Sequence, residues 1–322
     1  MFIPKARHQR VAIMALLFLA VAYGAKKKNA DDTTQTLDLP KDPPMVAMGE
    51  TRRLIFNVSP LSAKGLLSQQ TREALKAILK ANGGAPVVHI RAFVAGSGDL
   101  RRVPQIVSEV FTEKKLPLPS VSVVLAGALP LENAQVVLEA VSQAKRDVNP
   151  DGLMFVEAQT AASLEKSLDQ LASRLGGATA LRVSCFVSAI RTAEAITARF
   201  PSAAVDLVQT QRAPLRSEAR CEAVGRGGNI RAAKLAFTGT QVAFGLDEKA
   251  AKVAFQRIDR DLGDAAVAPA DIIATNIYPL SVRIGELAGK VRSTSGTMTI
   301  VPFEGIASVD GSFAIDAVAA LR

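Results

Sequence analysis

Apolar positions along the chain fall into three successive helix-then-strand patterns. Gln70–Gly84 places Ala74, Leu75, Ile78 and Leu79 at helical spacing and closes on Asn82-Gly83-Gly84, a stop signal. Ala162–Gly177 does the same with Leu164, Leu168, Leu171 and Leu175, and Asp247–Asp264 with Ala250, Val253, Ala254, Ile258 and Leu262. An apolar β-like run follows each helix, at Val87–Gly96, Leu181–Ile190 and Asp271–Leu280. Shorter helical patterns come next, at Asp99–Phe111, Thr192–Phe200 and Arg283–Arg292, and two further strand-like runs close each block.

The blocks also share their ends. Glu139-Ala140-Val141, Glu222-Ala223-Val224 and Asp316-Ala317-Val318 each sit in the last strand of a block, and the three acids lie 83 and then 94 residues apart. The second and third blocks open alike, with Phe155 and Gln159 of Leu153–Thr160 matching Phe237 and Gln241 of Leu235–Val242; the first opens more loosely at Arg53–Leu61. A generic α/β alternation does not predict the same order of elements three times with an acid closing each. The chain therefore reads as three tandem β-α-β-α-β-β units over residues 51–148, 151–228 and 231–322.

Upstream, Lys5, Arg7 and Arg10 precede the uncharged run Val11–Ala25. That run is shorter than the roughly 20 residues that span a bilayer, and Ala20-Val21-Ala22 suits a cleavage site. Residues 1–25 read as a signal peptide and the protein as exported, periplasmic or secreted; the alternative is an anchor formed by residues 11–25. Lys26–Pro44 is polar, Pro-bearing and aperiodic, and residues 26–50 read as a flexible linker.

Composition narrows the chemistry. The formal charge is +9, and +6 once the leader is set aside; the chain has no Trp, two Tyr and 13 Phe. A modest charge and few stacking aromatics speak against nucleic acid as a partner. His89 is the one histidine after the leader, and Cys185 and Cys221 lack metal-ligand spacing, so no metal and no cofactor are expected. The two cysteines form a disulfide or remain two buried thiols, according to their Cα separation. No P-loop, G-x-S-x-G or H-E-x-x-H motif occurs, and Gly225–Gly228 reads as a linker between units.

A unit with this order of elements, with Leu129-Pro130 just before a last strand Val-Val-Leu-Glu-Ala-Val, resembles the Rid family, the YjgF-type reactive-intermediate deaminases also named L-PSP endoribonucleases. The resemblance covers about Thr51–Arg322. It implies an α+β fold (an α/β sandwich) of chorismate-mutase-like, YjgF-like units. In each, a mixed sheet carries two helices on one face, and three such units form an intramolecular pseudo-trimer within a monomer. It also implies small-molecule ligands in clefts between units, and places Cys185 and Cys221 on neighbouring strands.

The family's activity is hydrolysis of reactive imines and enamines, with a substrate carboxylate clamped by an Arg ahead of the penultimate strand. The matching places fall near Val121, Ala203 and Thr297, none of them Arg. The family acid is kept as Glu139, Glu222 and Asp316, the candidate catalytic residues. Gln159 and Gln241 are candidate ligand-binding amides. Arg91, Arg191, Arg212, Arg216, Arg220 and Arg283 are candidate replacement cations. The expectation is a small-metabolite-binding Rid-like protein, with an imine deaminase using those acids and a substitute cation as the alternative.

Overall fold

The computed structural model describes residues 46–49, 54–96, 100–143, 153–190, 192–210, 218–227, 235–292 and 296–320. The leader, and Arg191, Arg212 and Arg216, lie outside the described residues. The first described strand is β1 (Val46–Gly49). The first unit then runs β2 (Leu54–Val58), α1 (Leu67–Ala81), β3 (Val87–Ala95), α2 (Arg102–Glu113), β4 (Ser120–Ala126) and β5 (Val136–Gln143). The second runs β6 (Leu153–Ala161), α3 (Leu164–Leu175), β7 (Thr179–Val187), α4 (Glu194–Arg199), β8 (Ala204–Gln209) and β9 (Ala219–Arg226). The third runs β10 (Leu235–Phe237), β11 (Gln241–Ala243), α5 (Glu248–Asp264), β12 (Ile272–Pro279), α6 (Val282–Val291), β13 (Thr297–Ile300), β14 (Gly305–Ile306) and β15 (Phe313–Ala320).

Each unit orders its sheet the same way: opening strand, last strand, middle strand, penultimate strand. The orders are β2-β5-β3-β4, β6-β9-β7-β8 and β10/β11-β15-β12-β13. The middle and penultimate strands are parallel and the other pairings antiparallel. That mixture follows from the connections: a helix must bridge two parallel neighbours, whereas a loop suffices to reverse direction. Caps set the helix ends where the sequence signals them. Ser163, Asp247 and Ser281 accept from the backbone N–H three residues on, and Gly176 closes α3 at φ 56°, in the left-handed region.

A shared irregularity confirms the register of the repeat. All three middle strands carry a bulge at the same place against the last strand, between Val87 and His89, Ala180 and Arg182, and Ile272 and Ala274. The bulges shift the alternation of faces by one residue. From there each last strand sends alternate residues to opposite layers. One face meets the helices and forms three separate cores, around Leu75 and Ile106, Leu168 and Leu171, and Ile258 and Ile277. The opposite faces of the three sheets meet one another, as expected of sheets with helices on one side only.

That shared interior is layered. One end is apolar and includes Leu54, Val141, Phe155, Leu235 and Val318. The other is aromatic: Phe93, Phe186 and Tyr278 occupy equivalent positions of the three units and pack with Phe303, their centroids 5.6–6.2 Å from neighbouring rings. Polar and charged residues lie between.

The seams between units differ. From the first to the second, Ser122 Oγ accepts from Ala158 N at 2.9 Å and Arg220 Nη1 donates to Val123 O at 2.8 Å. From the second to the third, Thr240 N donates to Val205 O at 3.1 Å, and β14 pairs with β8. Gly239 permits that approach, since a Cβ there would sit 3.0 Å from Val205 O. From the third to the first, β13 packs on β2 with no backbone hydrogen bond between them among the described residues.

Val46–Gly49 corrects the linker reading at its end. These residues pair antiparallel with β6. An unpaired strand edge offers a row of backbone donors and acceptors, and the apolar run Val-Ala-Met-Gly is suited to satisfy it.

Candidate functional site

Residues from all three units line a cavity of about 60 Å³. Its lining includes Asn57 and Val58 of β2 and Thr297 and Thr299 of β13, the strands that meet where the third unit packs on the first, and it reaches the polar layer. Asn57 and Glu139 of the first unit and Asn276, Thr297 and Thr299 of the third form its polar wall at the seam. Phe56, Phe155 and Phe237, equivalent residues of the three opening strands, belong to its apolar wall. Arg91, Arg182, His89 and Glu222 line it from the polar layer.

Arg91 organises one half of that layer. Its Nε donates to Glu222 Oε1 at 2.6 Å, its Nη2 to the same oxygen, and its Nη1 to Glu139 Oε2 at 3.1 Å. One guanidinium thus ties the last-strand acids of two units. Its carbon also lies 5.9 Å and 5.7 Å from the ring centres of Phe93 and Phe186, within cation–π reach. Burial works against the charge, yet Glu222 and Glu139 hold Arg91 well above the ordinary arginine range. Burial pushes Glu222 up, but Arg91 and His89 outweigh it and hold the carboxyl below its usual value.

Arg182 organises the other half. Its Nε donates to Asp206 Oδ2 at 2.5 Å, and its Nη2 lies 2.9 Å from Asp316 Oδ2. Ser184 Oγ donates to Asp206 at 2.7 Å and Asn276 Nδ2 to Asp316 at 2.9 Å. Burial raises both aspartates, Asp206 to about 6, against the pull of Arg182. Two guanidiniums therefore face four carboxylates. Six enclosed side-chain atoms make no hydrogen bond among the described residues: Asn57 Nδ2, Arg182 Nη2, Asp206 Oδ1, Glu222 Oε2, Tyr278 Oη and Asp316 Oδ2. Such atoms are uncommon in folded proteins, and here every one belongs to this layer or its border.

The three acids predicted from the sequence are brought together. Glu139 is the most accessible, its side chain 16% exposed, while Glu222 and Asp316 are buried. The two predicted amides are not brought to the cavity. Gln159 Nε2 donates to Glu157 O and Gln241 Nε2 to Asp261 Oδ2 of α5. Gln159 and Gln241 pair with Cys221 and Ile315, which face the helices, so their side chains leave on that side. Cys221 is the register partner of Cys185, their Cα atoms are 4.2 Å apart, and the structure joins them as a disulfide beneath α3. Val121, one of the places matching the family arginine, packs in the helix-side core of the first unit, and Thr297 lines the cavity. Of the predicted cations, Arg91 lines the cavity, Arg220 spans the first seam and Arg283 is exposed on α6.

Arg182 and Asp206 were missed by the sequence reading. The signal was a charged residue inside each of two apolar strands, Leu-Arg-Val-Ser-Cys and Ala-Val-Asp-Leu-Val, since a charge on a buried strand must find a partner. Among the described residues no group of three or more His, Cys, Asp or Glu is arranged to hold a metal ion.

His89 gives the layer a pH signature. Its Nδ1 is 2.8 Å from Ser120 Oγ and its ring stacks on Phe155 at 5.6 Å. Burial, reinforced by Arg91 and opposed by Glu222, lowers the imidazole from 6.5 to about 4. Between those values the unfolded chain binds more protons. The stability contributed by neutral His89 is complete above pH 6.5 and is lost as the pH falls through 4. Asp206 works the other way: its contribution is present below 3.8 and lost as the pH rises through 6. Comparing wild type with His89→Asn cancels the Asp206 part. The wild type's advantage in urea unfolding is expected to shrink by about 3 kcal/mol from pH 7 to pH 4; a constant difference would reject the assignment.

No family model matches the chain, and no curated protein does. Among solved structures, a chorismatase matches 84% of this chain and 99% of its own, at 10% identity and a TM-score of 0.51. Smaller proteins match a third of the chain or less. A Mycobacterium tuberculosis member of the YjgF/YER057c/UK114 family covers 28% of this chain and 82% of its own at 23% identity and a TM-score of 0.26. Escherichia coli TdcF with bound serine covers 30% of this chain and 90% of its own at 16% identity and a TM-score of 0.26. The fold is thus similar to that of chorismatase over most of the chain.

Proposed function

We propose that this protein is an exported, single-chain Rid-like pseudo-trimer that binds a small molecule in the cleft between its third and first units. The observation that carries this reading is the inequality of the three seams. Two are closed by hydrogen bonds between units, while the third holds a cavity with charged and amide groups along its wall. A site with an apolar wall and a few convergent polar groups is the usual form of a small-ligand pocket. A water needs roughly 10–15 Å³ of such space, so the cavity suits a ligand of a few heavy atoms. No described helix is long and apolar enough to cross a membrane; export rests on the leader pattern alone and is checked by the mass of the mature chain from a secreting host.

The test is a thermal-shift screen of small polar metabolites on the protein from residue 26 onward, repeated with Asn57→Leu, which fills the cleft. A raised melting temperature that the variant loses supports the reading. A screen with no such compound removes it.

A second reading, an imine or enamine hydrolase, is favoured by one feature: Arg91 places a cation in the cavity beside the accessible carboxylate of Glu139. Hydrolysis of freshly generated amino-acid imines, lost in Glu139→Ala, would establish it. No turnover beside an active deaminase control leaves binding as the function.

A further inference from the structure

We propose that the ligand of this cleft is a small organic ammonium ion that also carries a neutral oxygen, a short amino alcohol in its simplest form. The inference rests on the cleft reading above and adds the charge and donor pattern of what binds there.

The charge follows from how the two guanidiniums are engaged. Arg91 is held by Glu222 and Glu139, and Arg182 by Asp206 and Asp316. Among the described residues lining the cleft, a carboxylate would meet no cation that is not already paired with an acid, and would add a charge to a layer in which acids outnumber arginines two to one. Placing a like charge in a poorly hydrated site is costly. An ammonium ion meets the opposite situation. Glu222 is 4% exposed and lines the cavity; among the described residues its Oε2 makes no hydrogen bond of good geometry, and it has Ser122 and, at 3.9 Å, His89 Nε2 as polar neighbours. Glu139 gives only one oxygen to Arg91.

The apolar wall agrees with a cation. Each unit contributes one phenylalanine, Phe56, Phe155 and Phe237. Aromatic rings beside carboxylates are the usual surroundings of bound organic ammonium groups, because the ring quadrupole and the acid both favour positive charge.

The neutral oxygen follows from the opposite kind of orphan. Asn57 lines the cavity, and among the described residues its amide Nδ2 makes no hydrogen bond, whereas Arg182 Nη2 is already held 2.9 Å from Asp316 Oδ2. An ammonium group accepts nothing, so a ligand satisfying both ends needs an acceptor, and a hydroxyl supplies one without negative charge.

Three probes of nearly equal size separate the possibilities: ethanolamine, ethylene glycol and glycolate, titrated calorimetrically and by thermal shift at pH 7. Ethanolamine is expected to bind at least ten-fold tighter than either of the others. Glu139→Gln should weaken ethanolamine at least ten-fold while leaving ethylene glycol within three-fold, and Asn57→Leu should remove binding. Glu139 is the least buried of the four acids; should its variant misfold, Asn57→Leu, which leaves every charge in place, carries the test. Glycolate binding tighter than ethanolamine would overturn the charge assignment and leave the cleft reading standing. Binding by none of the three would overturn the inference, while a hit from the wider metabolite screen would still support the cleft.

Discussion

Replacing Arg91 with methionine is expected to destabilise the protein by about 3–5 kcal/mol, the cost of leaving buried carboxylates without their counter-charge. Arg91 is 7% exposed and makes three hydrogen bonds to acids of two different units. Without it, Glu222 keeps its burial and loses the group that holds its pKa down. His89, at 3.9 Å, is a poor substitute because burial disfavours its charged form. Removing both partners should cost far less than removing one. The double variant Arg91→Met, Glu222→Leu is expected to recover more than half of the loss, since well-packed apolar groups of similar volume replace a buried pair with little penalty. Arg91→Lys should fall between, because an ammonium keeps the charge but cannot span two carboxylates as a planar fork does. Urea unfolding midpoints of the four proteins decide the matter. A single variant within 1 kcal/mol of wild type would mean that the network contributes little to joining the units.

Opening the disulfide is the other large effect. Cys185–Cys221 closes a loop with a sequence separation of 36. Chain-entropy arguments put the stabilisation from a loop of that length at about 4 kcal/mol. The equivalent pairs of the sister units are Ala92–Leu138 and Ile277–Ile315, so Cys185→Ala, Cys221→Leu supplies a side-chain pair that the repeat already packs at this position. That variant should unfold at lower denaturant than the oxidised wild type and close to the reduced wild type. The comparison isolates the covalent link from core volume. Oxidised and reduced wild type unfolding together would show that the bond contributes nothing to stability.

Much of the architecture was written in local pattern. The three helix stops at Gly83, Gly176 and beyond Asp264, the alternation within each strand, and the acid in each last strand are short-range features, and their repetition gave the order of elements along the chain. The disulfide was open from the sequence alone because it depends on which residues face each other across β7 and β9. Gln159 and Gln241 look equivalent in the sequence and are equivalent in the structure. Their direction was illegible because the opening strand is irregular just before each: β6 shifts register between Val156 and Gln159, and the third unit's strand is interrupted between Phe237 and Gln241, which changes the face a side chain takes.

The sequence by itself determined the triplication, the element types and the three acids, because hydrophobic period and turn residues act over a few positions. Tertiary structure alone decided that Glu139 and Glu222 share Arg91, that Arg182 and Asp206 complete the layer, and that one seam of three holds a cavity. Those outcomes depend on packing between residues far apart in the chain, such as Arg91 against Glu222, 131 positions away, where the different side chains of three units of one topology decide how each seam closes.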